Sequence, residues 1–148
     1  MAEPAVRAIP ATATHDLRQR ILRPFMPVSA MVYPGDDAPE TVHFGAFDGT
    51  RLVAIASLYR APHAEHAPGP DAWQFRGMAS EPEVRGRGFA AAVVRAMEAH
   101  ARARGGAVLW CNAREAAVPF YEKLGMRTVG ERFEIERIGP HFVMIKAL

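Results

Sequence analysis

Arg85-Gly86-Arg87-Gly88-Phe89-Ala90 is the stretch whose residue types and spacing suit chemistry on an anion. Gly86 and Gly88 carry no Cβ, so the backbone there can take positive φ and approach a ligand closely. An alanine-rich helical pattern follows, and the start of a helix offers unpaired amides at the positive end of its dipole. Arg85 and Arg87 add charge. A pyrophosphate lying on those amides is one reading. A glycine turn that merely starts a helix is the other, because short glycine motifs recur by chance. A second set with ligand chemistry, His63 and His66, lies in the proline-containing stretch Ala61 to Asp71. No cysteine or further histidine sits nearby at ligand spacing, so this pair predicts solvated side chains and no metal site.

These residues belong to a chain of 148 residues, 49% hydrophobic and 23% charged, which predicts one globular domain over 1–148 with a real core. A formal charge of +2 and a pI near 9.0 are too mild to indicate nucleic acid, although local arginine clusters can still serve an anionic cofactor. The single cysteine, Cys111, cannot form an intramolecular disulfide, and no basic segment followed by a long apolar run opens the sequence. The expected compartment is the cytoplasm. No apolar stretch approaches the roughly 20 residues that span a bilayer, so membrane insertion is not expected.

Several elements must position the turn. Ala5 to Ile9 reads as a short strand ended by Pro10, and Thr14 as the N-cap of a helix over His15 to Arg23, with Leu17, Ile21 and Leu22 as its apolar stripe. Prolines 24, 27, 34 and 39 deny regular structure to the next segment, which reads either as a packed connection or as a cover for a substrate. Val42 to Phe47 and Leu52 to Tyr59 are strand-like runs joined by a tight turn at Asp48-Gly49. Trp73 to Ala79 predicts the strand that feeds the turn, followed by a helix from about Gly88 to Arg104. Phe89, Val93, Met97 and Ala101, with Val94 beside them, face the core there, and Arg95, Glu98 and Arg102 face away. Gly105-Gly106 ends the helix, and Val108 to Cys111 fits a buried parallel strand. Asn112 through Glu115 has capping-box spacing, but Pro119 predicts a kink or a restart. Ala117, Phe120, Tyr121 and Leu124 share a face of the helix that Gly125 closes. Thr128 to Ile135 and His141 to Lys146 complete the chain as two strands around Gly139-Pro140.

Two landmarks in this order resemble the GNAT (GCN5-related) N-acetyltransferase superfamily, over most of the chain from about Thr41 to Lys146. Arg85-Gly86-Arg87-Gly88-Phe89-Ala90 matches the superfamily's acyl-CoA signature Q/R-x-x-G-x-G/A in its strand-to-helix context. Asn112, Ala116 and Phe120-Tyr121-Glu122-Lys123-Leu124-Gly125-Met126 resemble the N-x-x-x-A-x-x-x-F-Y-x-x-x-G-F segment, with Met126 where phenylalanine is frequent. Leu109-Trp110-Cys111-Asn112-Ala113-Arg114, with Gly139-Pro140-His141, further resembles a bacterial subgroup. The resemblance implies an α/β (α+β) fold: a mixed, mostly antiparallel sheet with splayed parallel central strands, flanked by helices. It implies acetyl-CoA as cosubstrate and an amine as acceptor, and it allows a homodimer. Met78, Ala79 and Ser80 would pair with the pantetheine amides as a strand would, beside the pyrophosphate turn at Arg85 to Ala90. Asn112, Ala116 and Phe120 are the further cofactor contacts it implies.

The chemistry implied is direct attack of a neutral amine on the thioester, which makes Cys111 a small apolar residue at a strand end and not a nucleophile. Tyr121 stands where the superfamily often carries its general acid. A phenol of intrinsic pKa about 10 protonates a thiolate whose acid has a pKa of about 8.5 only in tight geometry; otherwise Tyr121 is a core residue with a tethered hydroxyl. Many relatives place a glutamate on the strand before the turn, but Trp73-Gln74-Phe75-Arg76-Gly77-Met78 has no carboxylate. Glu81, Glu134, Glu136, His141 or a water chain are the candidate bases, and His141 leads because histidine is the side chain that ordinarily changes charge near neutrality. Arg76 reads as an anchor for an anionic substrate or as a surface pairing residue. The alternatives to an enzyme are a non-catalytic acyl-CoA-binding regulatory module and a small basic interaction domain.

Overall fold

The period-two and apolar runs become strands at Ala5–Ile9 (β1), Val42–Asp48 (β2), Arg51–Arg60 (β3), Ala72–Ser80 (β4), Val108–Arg114 (β5), Arg127–Ile135 (β6) and Gly139–Ala147 (β7). Helices form at His15–Leu17 (α1), Phe89–Ala103 (α2) and Val118–Lys123 (α3). The computed structural model describes residues 4–148. The strands form one sheet in the order β1-β2-β3-β4-β5-β7-β6. The pairs β1–β2, β2–β3, β5–β7 and β6–β7 are antiparallel, and β4–β5 is parallel. This is the expected mixed, mostly antiparallel sheet with flanking helices. The chain divides into two compact units, Met1–Tyr59 with Phe75–His100 and Arg60–Gln74 with Ala101–Leu148.

In the first unit, Asp48 pairs with Arg51, so the hairpin turns on Gly49-Thr50, one residue later than expected. The early helix also differs. It begins as a 3-10 turn at Ala11–Thr14, passes through α1, and widens into a π-helix at Arg18–Leu22. Thr14 is not its N-cap: the hydroxyl donates back to the Ala11 carbonyl at 2.6 Å, and the extended residue before the segment is Pro10. Leu17 packs with Ile55 and Ala79, and Ile21 and Leu22 flank that cluster as the stripe predicts. The face also buries Arg18. In α2, Phe89, Val93, Val94, Met97 and Ala101 are all buried, as their spacing requires. Glu98, expected to face solvent, is buried with them.

The second unit holds the parallel register, which pairs Ala72, Trp73 and Gln74 with Val108, Leu109 and Trp110. Its core gathers Ala67, Ala72, Trp110 and Val143, with Val108, Val129, Phe133 and Ile145 around them. The histidines of the preceding loop are half-buried rather than fully solvated. The His63 ring stands edge-on to Trp110 at 5.0 Å, and its Nδ1 accepts the amides of Glu65 and His66 at 3.2 Å. Asn112 to Arg114 continue β5 and pair with Val143, Phe142 and His141, so the capping-box spacing marks no helix start here: a cross-strand ladder outweighs a local capping signal. A 3-10 turn at Glu115–Ala117 then leads into α3, with Pro119 in the first turn, where its missing amide costs nothing. The restart at Pro119 is therefore observed. Gly139 and Pro140 pair with Ile135 and Glu134, which moves the last turn to residues 136–138.

Candidate functional site

The turn before α2 has the backbone that its glycines permit. Gly86 and Gly88 have φ of 80° and 87°, a region costly for side-chain-bearing residues, and a Cβ built on either would meet nothing within 4 Å. Shape complementarity to the protein is therefore not why glycine is needed; the left-handed backbone is. All four residues from Arg85 to Gly88 are exposed, Phe89 anchors the helix start in the core, and Ala90 is half-buried. Arg85 reaches the Ser80 carbonyl at 3.4 Å, and Arg87 pairs with Asp48 at 3.4 Å. Both contacts are long and solvent-facing. Two exposed guanidinium groups thus belong to the turn that precedes a 15-residue helix whose first amides have no partner within it. Upstream on β4, Ala79 is buried, Met78 and Ser80 are half-buried, and Gly77 takes φ 69° within the strand. These features fit a phosphate-bearing ligand.

The second group of predicted residues lies along one continuous run of the other unit. Asn112 is exposed near the end of β5, Ala116 is exposed in the 3-10 turn, Phe120 is half-buried, and Tyr121 is buried on α3. Phe120 and Tyr121 rings meet edge to face at 5.1 Å. Burial pushes the Tyr121 phenol well above its ordinary value; neighbouring Cys111 adds to the rise and Arg114 opposes it. The phenol is thus held protonated at neutral pH, but the same shift makes it a weaker acid than free tyrosine, so it can serve a departing sulfur only in tight geometry. Cys111 is also buried, and desolvation pushes its thiol up. It is not an activated nucleophile.

His141 pairs across from Arg114, at the end of β5 that leads to α3, and is buried against the Phe133 ring. Its Nδ1 lies 2.7 Å from the Gly139 carbonyl. A carbonyl only accepts, so Nδ1 carries the proton and Nε2 of the neutral ring is the acceptor. The carboxylate candidates are placed differently. Glu81 is buried and held by Arg20 at 3.1 Å and Arg51 at 2.7 Å, a structural ion cluster and not a base. Glu134 pairs with Arg132 at 3.4 Å on an exposed strand, and Glu136 lies exposed at the last turn. No group of three or more metal-capable side chains occurs among the described residues.

The sequence from residue 12 to 126 matches the family model for the acetyltransferase (GNAT) family. The chain belongs to that family. It is 35% identical over 145 residues, covering 97% of this chain and 95% of the relative, to the uncharacterized N-acetyltransferase YitI of Bacillus subtilis strain 168. Among solved structures, the fold is similar to the ribosomal-protein-S18-alanine N-acetyltransferase of Escherichia coli, with TM-score 0.75 and 16% identity over 98% of this chain and 94% of the other. It is also similar to an aminoglycoside 6'-N-acetyltransferase complexed with coenzyme A, with TM-score 0.70 and 16% identity over 97% and 96% of the two chains.

This GNAT chain carries one polar cluster that the sequence reading missed. Arg18 is fully buried and donates to Asp36 at 2.7 and 3.0 Å, to the Met31 carbonyl at 2.8 Å and to Ser57 at 2.8 Å. The Asp36 carboxylate also accepts the Tyr59 hydroxyl at 2.6 Å and the Tyr33 amide at 2.9 Å. His43 meets Ser57 at 2.6 Å through Nδ1. Burial pushes the Asp36 carboxyl up, but the bonds from Arg18, Tyr59 and Tyr33 outweigh it and hold the group down at about 2. Burial and the bond to Asp36 together push Tyr59 up to about 12. The segment around prolines 24–39 is thereby pinned through Met31, Tyr33 and Asp36. One signal was available: Ser57 and Tyr59 share a face of β3 with Ile55, and His43 stands opposite Ser57.

Proposed function

We propose that the protein is an N-acetyltransferase that moves the acetyl group of acetyl-CoA to an amine, with the whole chain as one catalytic domain. The exposed, left-handed glycine turn with Arg85 and Arg87 at the start of α2 carries this reading, because it supplies amides, charge and room for a pyrophosphate. In the first unit Met78 to Ser80 are the backbone partners proposed for the acyl arm, and in the second Asn112, Ala116 and Phe120 are the further proposed cosubstrate contacts. The amine nitrogen attacks the thioester carbonyl carbon. A C–N bond forms, the C–S bond breaks, and the sulfur takes the Tyr121 proton. The surplus amine proton leaves through His141 Nε2 or through water, and the Tyr121 oxygen takes a proton back before the next turnover. No enzyme acyl intermediate forms, consistent with the raised Cys111 thiol. Mild net charge supports a small amine or peptide acceptor rather than nucleic acid. No helix among the described residues is long and apolar enough to cross a membrane, and the cytoplasm is the proposed compartment.

Acetyl-CoA should raise the midpoint of thermal unfolding, since a ligand bound only by the native state stabilises it. Tyr121→Phe keeps the ring and removes the donor. Its kcat should fall about 10²-fold while acetyl-CoA still stabilises the variant. Turnover equal to that of the unaltered protein would assign the phenol to packing and leave an acyl-CoA-binding module.

A further inference from the structure

Three guanidinium groups surround one ring. Arg18, Arg23 and Arg76 place their Cζ atoms 3.9, 5.7 and 6.0 Å from the Tyr33 centroid, and Arg76 also lies 4.0 Å over Tyr59. One carboxylate, Asp36, sits inside this cluster, and its two oxygens already accept two donors each. That is about the full acceptor capacity of a carboxylate. Its charge is committed to Arg18. Arg23 donates to the Tyr33 hydroxyl at 3.3 Å, and Arg76 donates to the Pro34 carbonyl at an exposed position. Neither has a carboxylate within ion-pair distance among the described residues. Aromatic faces and neutral oxygens hold these two cations in place without neutralising them. Arg76 Nε, buried, has no acceptor at all.

A positioned but uncompensated guanidinium suits a planar anion, which it takes in fork geometry. Arg76 also lies on β4 two residues before Met78, on the order of 7 Å along a strand. We infer that Arg76, assisted by Arg23, binds a carboxylate on the acceptor, so that the acceptor is an amino acid or a similar amine bearing a carboxylate. This inference rests on the acetyltransferase reading above, with Met78 beside the acyl arm. The surface-pairing alternative for Arg76 is not met, because no carboxylate among the described residues pairs with it.

The test measures thiol release from acetyl-CoA with the standard amino acids and with their primary amides, for the full chain and for Arg76→Gln, alongside acetyl-CoA melting shifts. The acids should be preferred over their amides by roughly tenfold to a hundredfold in kcat/KM. Arg76→Gln should erase that preference through KM on the acids, with amide rates and the acetyl-CoA shift kept. Should Arg76→Gln fail to fold, Arg23→Gln must reduce the preference in the same direction. Amides equal to acids, release from no acid, or equal losses on both substrates would overturn the carboxylate site. If acetyl-CoA still stabilises the protein in those cases, the acetyltransferase reading stands; absence of both stabilisation and release overturns it as well.

Discussion

Two Arg–Asp pairs in the first unit show how differently the same chemistry behaves inside and outside the protein. Arg18–Asp36 closes at 2.7 Å with both side chains at most 2% exposed, whereas Arg87–Asp48 closes at 3.4 Å with 38% and 48% exposed. The buried pair has given up hydration, and protein donors and acceptors replace the water on each Asp36 oxygen. Its components cannot be removed singly without stranding a charge. The exposed pair exchanges freely with solvent, so its arginine remains available to an anion. Position therefore divides structural arginines from binding ones more sharply than residue type does. Arg76 lies between the extremes, half-buried and aromatic-stacked like Arg18 but without an anionic partner among the described residues.

The largest effect expected from breaking this contrast is at Arg18. Arg18→Ala leaves Asp36 buried and uncompensated, which should cost about 3–5 kcal/mol in chemical denaturation. A loss below about 1 kcal/mol would show that the cluster tolerates an unpaired carboxylate or admits water. A smaller effect of the same pair is its dependence on pH. The Asp36 carboxyl is lowered from 3.8 to about 2 in the fold, so its stabilisation is fully present above pH 3.8 and disappears as pH falls towards 2. Asp36→Asn abolishes that titration. Between those limits the unfolding free energy of the unaltered protein should fall more steeply with acid than that of Asp36→Asn; parallel slopes would locate the acid sensitivity elsewhere.

The two regions also differ in how much of them could be read without coordinates. The turn and α2 are local objects: glycine φ freedom, charge and a four-residue apolar period all lie within about twenty positions, and the structure matches them nearly residue for residue. Arg18 meets its partners at separations of 13, 18 and 39 residues, so no window around it reveals that the residue is buried. Asn112 shows the opposite failure. A plausible local signal, the capping-box spacing to Glu115, was present but lost to pairing with Val143 on a strand that comes later in the chain. Pro119 was read correctly because its constraint is covalent and holds in any tertiary context. Tyr121 was singled out through family resemblance and His141 for its imidazole chemistry; their burial and the His141 Nδ1 bond are properties of the folded chain.

The smallest stability effect is expected at Arg87, and it sharpens the contrast most. Arg87→Ala removes a long, exposed ion pair and should change unfolding free energy by no more than about 0.5 kcal/mol. The same substitution removes a charge from the pyrophosphate turn, so acetyl-CoA affinity should fall about tenfold at low salt, the scale of one charge-assisted hydrogen bond. Raising ionic strength should shrink that difference, because exposed charges are screened within a Debye length of about 8 Å under physiological conditions. Asp48→Ala releases Arg87 from its competitor. Acetyl-CoA should then bind slightly tighter, with stability again unchanged. Titrating acetyl-CoA against both variants at two salt concentrations separates a binding arginine from a structural one, and an affinity unaffected by Arg87→Ala would take that side chain out of the phosphate site while leaving the backbone amides of the turn as its remaining support.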